Sequence, residues 1–312
     1  MSDNLTDTPL LKLTNVKKSY SGISVINNIS LSLFAGEIHA LVGENGAGKS
    51  TLIKILSGNV KADSVSCEVE GEPVKLESVR FAEKLSIRFI HQELNAIPHL
   101  SVAEFIFLGK RLPSRLKILV NWKNLNNNAQ TVLNKFGVNH INPKKTVGRL
   151  SIGDKMLVKL CGAFVAEDHK KEARLYVLDE PTASLNSTEV SRLFSLLKRL
   201  ANDGRAILYV SHRINEIFEL ANRVTVLRDG EVELKKLIRH LSVSDLLEAM
   251  TGRQVVQTFP KRQTFLSNEI VLQAKNLSNN SLKNISFEVK CGEVLGIAAV
   301  SYTHLRAHET RH

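Results

Sequence analysis

Gly43-Glu44-Asn45-Gly46-Ala47-Gly48-Lys49-Ser50-Thr51 fits the phosphate-loop pattern G-x-x-x-x-G-K-[ST], and its flanks supply the setting that pattern needs. The apolar run Ile38-His39-Ala40-Leu41-Val42 predicts a buried strand entering the turn. Lys49-Ser50-Thr51-Leu52-Ile53-Lys54-Ile55-Leu56 predicts an amphipathic helix leaving it. Glycines lack Cβ atoms, so the backbone can curl until successive N–H groups point inward at phosphate oxygens, and the helix N-terminus adds partial positive charge. In this reading Gly43, Glu44, Asn45, Gly46, Ala47, Gly48, Lys49, Ser50 and Thr51 bind a nucleotide. Lys49 reaches the β- and γ-phosphates, and the Ser50 hydroxyl joins the coordination shell of Mg²⁺. The competing reading is a glycine-rich turn that precedes a Lys-Ser helix and binds nothing.

Three further segments have the same form, an apolar strand with polar chemistry at its end. Leu175-Tyr176-Val177-Leu178 leads into Asp179-Glu180-Pro181-Thr182. Ligands collect at the carboxyl ends of strands in an open parallel sheet, so Asp179 is expected beside the phosphate loop, holding Mg²⁺ through a water. Glu180, one residue on, is placed to orient or deprotonate an attacking water. Ala206-Ile207-Leu208-Tyr209-Val210 ends in Ser211-His212, and His212 is expected at the γ-phosphate and that water. Phe89-Ile90-His91-Gln92-Glu93 puts Gln92 after another apolar segment, where its amide could touch metal or water. Taken singly, an Asp-Glu pair, a strand-end histidine or a Gln-Glu is a surface feature; the order in the chain makes them a set.

With 312 residues and 43% hydrophobic content, the chain is long enough for one large domain and part of another. Its mean hydropathy of −0.07 excludes a disordered chain. No uninterrupted apolar stretch approaches the roughly 18 residues of a membrane-spanning helix, and Met1-Ser2-Asp3-Asn4 is unlike a secretory signal, which predicts a cytoplasmic protein. Cys67, Cys161 and Cys291 are far apart and lack C-x-x-C spacing, so all three are expected to be packing residues. A net charge of +11 fits nucleic acid, an anionic membrane surface or simple solubility. Aromatic content of only 5%, with no basic stretch interleaved with aromatics, disfavours a single-strand-binding platform, so no nucleic-acid partner is expected.

Leu150-Ser151-Ile152-Gly153-Asp154 completes the pattern. Phosphate loop, Gln92 segment, L-S-x-G signature, Asp179-Glu180 strand and His212, in that order, resemble the motif set of ABC-type ATPases over roughly residues 10 to 255. The wording of Ile90-His91-Gln92-Glu93-Leu94, Ala103-Glu104, Phe107-Leu108-Gly109 and Asp179-Glu180-Pro181-Thr182-Ala183-Ser184-Leu185 is similar to the ATP-binding subunits of carbohydrate importers of the ribose, galactose and xylose type.

The resemblance implies an α/β P-loop NTPase fold: a mostly parallel sheet, an antiparallel β portion near the N-terminus, and a helical subdomain over about 93–154. It implies two nucleotide-binding domains closing over two ATP molecules, with Ser151 and Gly153 contacting the γ-phosphate held by a partner domain. It also implies Tyr20 of Lys18-Ser19-Tyr20-Ser21-Gly22 stacking on adenine. The partners implied are transmembrane permease subunits and, indirectly, an extracytoplasmic sugar-binding protein, with this chain at the cytoplasmic face of the membrane. Pro98 to Phe107 reads either as the groove that docks the permease or as ordinary subdomain core.

Two positions depart from the family pattern. Asp154 stands where glutamine is usual and would repel a triphosphate unless Lys155 or Mg²⁺ offsets it. Asn186 stands where many members carry aspartate, which bears on cross-talk between the two sites.

Residues 256–268 lack helical or strand period and read as a linker. Beyond them, Leu282-Lys283-Asn284-Ile285-Ser286-Phe287-Glu288-Val289-Lys290-Cys291-Gly292-Glu293-Val294 repeats Ile26-Asn27-Asn28-Ile29-Ser30-Leu31-Ser32-Leu33-Phe34-Ala35-Gly36-Glu37-Ile38 at constant spacing. Residues 269–300 are therefore expected to be the start of a second ATPase domain, and 1–255 the first. Where a second phosphate loop should open, Ser301-Tyr302-Thr303-His304-Leu305-Arg306-Ala307-His308-Glu309-Thr310-Arg311-His312 has no apolar period and is expected to be foreign to the fold; a histidine-rich metal-binding tail is the other reading. A soluble ABC ATPase acting on ribosomes or DNA is the competing function. Its members carry a long charged linker or an inserted coiled coil or zinc module, and neither is visible here.

Overall fold

The computed structural model describes residues 8–76, 87–90, 97–110, 112–115, 119–165, 173–183, 185–253, 267–279 and 282–297, the side chains of 114 and 115 excepted. The chain divides into two compact units, Met1–Gln254 and Val255–His312.

In the first unit, β1 (Leu11–Tyr20), β2 (Ile23–Leu33), β4 (Ser64–Val69) and β5 (Glu72–Val74) form an antiparallel sheet in the order β2-β1-β4-β5. A second sheet has the order β12-β11-β3-β10-β9-β6, from β3 (Ile38–Val42), β6 (Ile87–Ile90), β9 (Leu175–Asp179), β10 (Ala206–Val210), β11 (Arg223–Arg228) and β12 (Glu231–Leu237). Five of these strands run parallel and β12 alone is antiparallel. β3 and β10 are buried along their whole length, which is why they read as unbroken apolar runs rather than alternating ones. The α/β expectation, with its parallel sheet and N-terminal antiparallel portion, holds.

Helix α1 (Lys49–Leu56) lies between the two sheets: Leu52, Ile53, Ile55 and Leu56 pack with Leu11, Leu13, Ile26 and Leu31 of the antiparallel sheet and with Leu41 and Val210 of the parallel one. The opposite face of the parallel sheet carries α2 (Val102–Ile106), α3 (Trp122–Lys135), α4 (Ile152–Phe164) and α5 (Ser187–Asn202), which share a core with Leu178 and Tyr209. A short hairpin, β7 (Ser114–Arg115) and β8 (Leu119–Val120), precedes α3. Helices α6 (Ile214–Leu220) and α7 (Val243–Thr251) complete the unit, with Ile217, Leu246 and Met250 packed on Val224 and Val226 of β11. Among the described residues no helix is long and apolar enough to cross a membrane.

Of these helices, α2 and α3 lie within the expected helical subdomain over about 93–154, and α4 starts at its C-terminal bound. Val102, Ala103 and Ile106 are buried, so that part of the Pro98 to Phe107 segment is core, while Leu108 just beyond it is exposed. Cys67 and Cys161 are buried as expected, and burial pushes their thiols up to about 11 and about 12. Cys291 is the exception: it sits exposed in the turn that follows the last strand.

In the second unit, β13 (Ile270–Leu277) and β14 (Ile285–Lys290) form an antiparallel pair. Their register repeats that of β1 and β2. Leu11↔Leu33, Lys12↔Ser32, Leu13↔Leu31 and Val16↔Ile29 correspond to Leu272↔Val289, Gln273↔Glu288, Ala274↔Phe287 and Leu277↔Ile285. Even the irregularities recur, with Asn15 and Asn28 in the left-handed region at φ 54° and 56°, and Asn276 and Asn284 at 53° and 54°. The linker to residue 266 and the segment from 298 to 312 lie outside the described residues.

Candidate nucleotide site

Strand register assembles the site. β10 lies between β3 and β9, with Val210 opposite both Leu41 and Asp179. The three chains therefore leave the sheet at one edge, the phosphate loop after β3, Glu180 after β9 and Ser211-His212 after β10. There a cleft of about 410 Å³ is lined by Val25, Asn45, Gly46, Gly48, Lys49, Ser50, Thr51, Asp179 and Glu180. Ser50 and Asp179 thus share one cavity, as a shared metal would require.

The loop's curl has two tight points. A Cβ on Gly43 would fall on the Leu227 carbonyl oxygen, and Gly48, at φ 101°, would place one 3.0 Å from the Val25 carbonyl oxygen. Gly48 caps α1 and no side chain accepts from the helix N-terminus, so its first N–H groups are open to an anion. The Lys49 ammonium donates to the Gly43 carbonyl (2.7 Å) and the Glu44 carbonyl (2.8 Å), and the Ala47 N–H donates to the Glu44 carbonyl, which fixes the loop as a closed ring. Burial pushes the Lys49 ammonium below its usual pKa, and the nearby Glu180 and Asp179 carboxylates oppose that shift. A buried cation beside the open N–H groups of the α1 N-terminus, with the Asp179 and Glu180 carboxylates in the same cleft, fits a triphosphate with a divalent ion.

Glu180 adopts φ 44°, a left-handed conformation that costs an ordinary residue about 1–2 kcal/mol. Its N–H donates to the Val210 carbonyl (2.9 Å), and its Oε1 lies 3.0 Å from His212 Nδ1. The imidazole is 55% exposed and the carboxylate 19%, so the pair is open to water on the histidine side.

Ser151 and Gly153 are at the start of α4. Ser151 is the N-cap, accepting from the Asp154 N–H (3.0 Å), and its hydroxyl lies 3.4 Å from Glu189 Oε1. Gly153 is buried, and a Cβ there would fall on the Glu189 carboxylate. Asn186 caps α5 and forms a reciprocal pair with Glu189, each side chain accepting from the other's N–H. Asp154 is met by His140 Nε2 at 2.8 Å, a partner the sequence reading, which named Lys155 or Mg²⁺ as offsets to its charge, did not include. Tyr20 stands at the end of β1, 44% exposed, with the Lys18 ammonium 5.2 Å from its ring, and does not line the cleft among the described residues. Gln92 lies outside the described residues; β6 ends at Ile90, opposite Leu178 of β9, at the edge that bears the site.

Sequence reasoning missed Val25, which enters the cleft from β2, along with His140, Glu189 and the buried Glu216. No motif marks Val25, His140 or Glu216. The capping pattern Asn186-x-x-Glu189 is the one signal that could have been read.

The ABC transporter family model matches residues 26–183. The ribose import ATP-binding protein RbsA of Clostridium perfringens (strain SM101 / Type A) is 39% identical over 294 residues, covering 94% of this chain and 57% of the relative. Its counterpart in Chromobacterium violaceum is 41% identical over 289 residues, 92% and 56% respectively. The chain thus spans little more than half the length of these curated relatives. Among solved structures, the ADP conformation of MJ1267, an ATP-binding cassette of an ABC transporter, superimposes with a TM-score of 0.67 at 22% identity, over 78% of this chain and 99% of the other.

Proposed function

The chain belongs to the ABC transporter family, and we propose that it is an ATP-binding and ATP-hydrolysing subunit that powers import of a monosaccharide through membrane permease subunits. The observation that carries the reading is the convergence of Lys49, Asp179 and Glu180 on one cleft, with His212 hydrogen-bonded to Glu180.

Residues 43–51 hold the phosphates through backbone N–H groups, the α1 N-terminus and the Lys49 ammonium. Ser50 and Gln92, with Asp179 through a water, would hold Mg²⁺, and the ion would neutralise phosphate charge. Glu180 takes a proton from the attacking water as the water oxygen bonds to the γ-phosphorus and the bond to the bridging oxygen of ADP breaks. His212 holds the Glu180 carboxylate and the γ-phosphate in register. The left-handed backbone at Glu180 is consistent with strain retained for such a role. Tyr20 stacks on adenine as the nucleotide enters. Ser151 and Gly153 serve the site of a second ATPase domain, and closure of the pair on ATP followed by opening after hydrolysis moves the permease.

We assign 1–255 as one ATPase domain and 269–300 as the start of another. The proposed location is the cytoplasmic face of the membrane, and the sugar, by likeness to the relatives, is ribose or a close analogue. In vesicles carrying the permease and a sugar-binding protein, ribose should stimulate ATP turnover. Turnover indifferent to every pentose and hexose, with salt-sensitive retention on RNA or DNA instead, would replace the importer with the soluble alternative.

A further inference from the structure

Glu216, in the first turn of α6, is a buried carboxylate at 7% exposure. Its Oε2 accepts three hydroxyl hydrogen bonds, from Thr182 Oγ1 (2.9 Å), Tyr209 Oη (2.7 Å) and Ser211 Oγ (3.0 Å). Its Oε1 accepts from the Arg213 guanidinium at 3.3 Å, and the Arg213 N–H donates to Ser211 Oγ at 3.0 Å. One side chain therefore grips the residues on both sides of His212, and also Thr182, two residues beyond Glu180.

Cohesion alone does not call for a charge here. A buried ion removed from water costs several kcal/mol, and apolar residues of similar volume often hold a core as well or better. What an apolar side chain cannot do is collect onto one atom three hydroxyls, one from the loop after β9, one from β10 and one from the loop after β10. Burial and the Glu216 carboxylate both push the Tyr209 phenol up, so Tyr209 stays a donor throughout the neutral range. The loops so joined are those that follow β9 and β10, and the His212–Glu180 contact is made between them.

We infer that Glu216 is a positioning residue for the hydrolytic pair: by tying Thr182 and Ser211 together it sets the His212 imidazole against the Glu180 carboxylate. The inference rests on the reading of Glu180 and His212 as that pair. Glu216 does not line the cleft, so nucleotide binding should be indifferent to it.

The test is steady-state ATP turnover of the full chain and its variants, with binding of a fluorescent ATP analogue measured alongside. Glu216→Gln keeps the shape and removes the charge. It should lower kcat at least about tenfold, since misplacement by about 1 Å costs on the order of 10²-fold, while KM and analogue affinity stay within about twofold. Because Glu216 acts through His212, His212→Ala and the His212→Ala/Glu216→Gln double variant should share one residual rate within about twofold. If Glu216→Gln melts the fold, Ser211→Ala deletes one of the three donors and should still lower kcat about threefold or more with KM unchanged. Glu216→Gln turning over at the wild-type rate overturns the inference, as does an additive double variant, or a kcat loss matched by lost affinity. A wild type that binds the analogue but forms no ADP overturns the hydrolytic reading itself, and is recognised before any variant is compared.

Discussion

The Lys49 ammonium donates to two carbonyls of its own loop, so it sets the shape of the phosphate cradle as well as its charge. Lys49→Ala should reduce ATP affinity by on the order of 10²-fold, or about 2.7 kcal/mol, at the upper end of the about 1.5–3 kcal/mol of one charged hydrogen bond because the loop relaxes too. Calorimetric titration with ATP checks this, and undiminished affinity would refute the phosphate-loop assignment. The places of Lys49, Ser50, Asp179, Glu180 and His212 in the fold were legible because each stands at or just beyond the end of an apolar strand, in a fixed order. The contacts of Asp154 and Glu216 were not legible. His140 reaches Asp154 across a turn, and Glu216 collects donors from both loops, so those pairings exist only once α4 and α6 are docked.

Among elements, α4 gives an opposite sign to the usual rule. Glycine inside a helix is worth about 1 kcal/mol less than alanine, so Gly153→Ala on an open face would stabilise. Here the new Cβ displaces the Glu189 carboxylate and breaks its reciprocal cap with Asn186. The variant should lose about 0.5–2 kcal/mol in urea unfolding, as a lost cap does, and a gain would show that Glu189 moves freely.

In β3, His39 is fully buried, its Nε2 2.8 Å from Thr225 Oγ1 and its Nδ1 3.2 Å from Glu37 Oε1 without hydrogen-bond geometry. Burial holds its pKa below the usual 6.5 despite Glu37, with Arg223 and Lys235 pushing the same way as burial. The unfolded chain then binds a proton that the folded chain refuses, so stability is full above about pH 6.5 and falls as pH drops below it. His39→Gln should flatten that decline between pH 7.5 and 5.5, well above the carboxylate range; an unchanged slope would assign it elsewhere. β3, β9 and β10 were readable as strands, being buried on both faces.

At the scale of the molecule, equivalent strands of the two units differ in burial among the described residues. Leu11, Leu13, Val16, Ile26, Ile29, Leu31 and Leu33 of β1 and β2 are buried against α1 and the parallel sheet, whereas Ile270, Leu272, Leu277 and Ile285 of β13 and β14 are exposed. A two-stranded pair without backing is marginal in water. Amide exchange should therefore be slow in β1 and β2 and faster by orders of magnitude in β13 and β14, and equal protection would mean that something covers the second pair. The repeated register was foreshadowed by the repeated sequence of 282–294, while the matching of β13 to β1 was hidden because little but Asn15 and Asn276 and the apolar positions is shared. The account as a whole turns on hydrolysis at the edge where β3, β9 and β10 end. Single-turnover conversion of ATP with Mg²⁺ by the wild type and by Glu180→Gln tests it most directly. ADP formation slowed about 10²-fold or more in the variant, with ATP binding intact, is the predicted result; equal rates in the two proteins would contradict it.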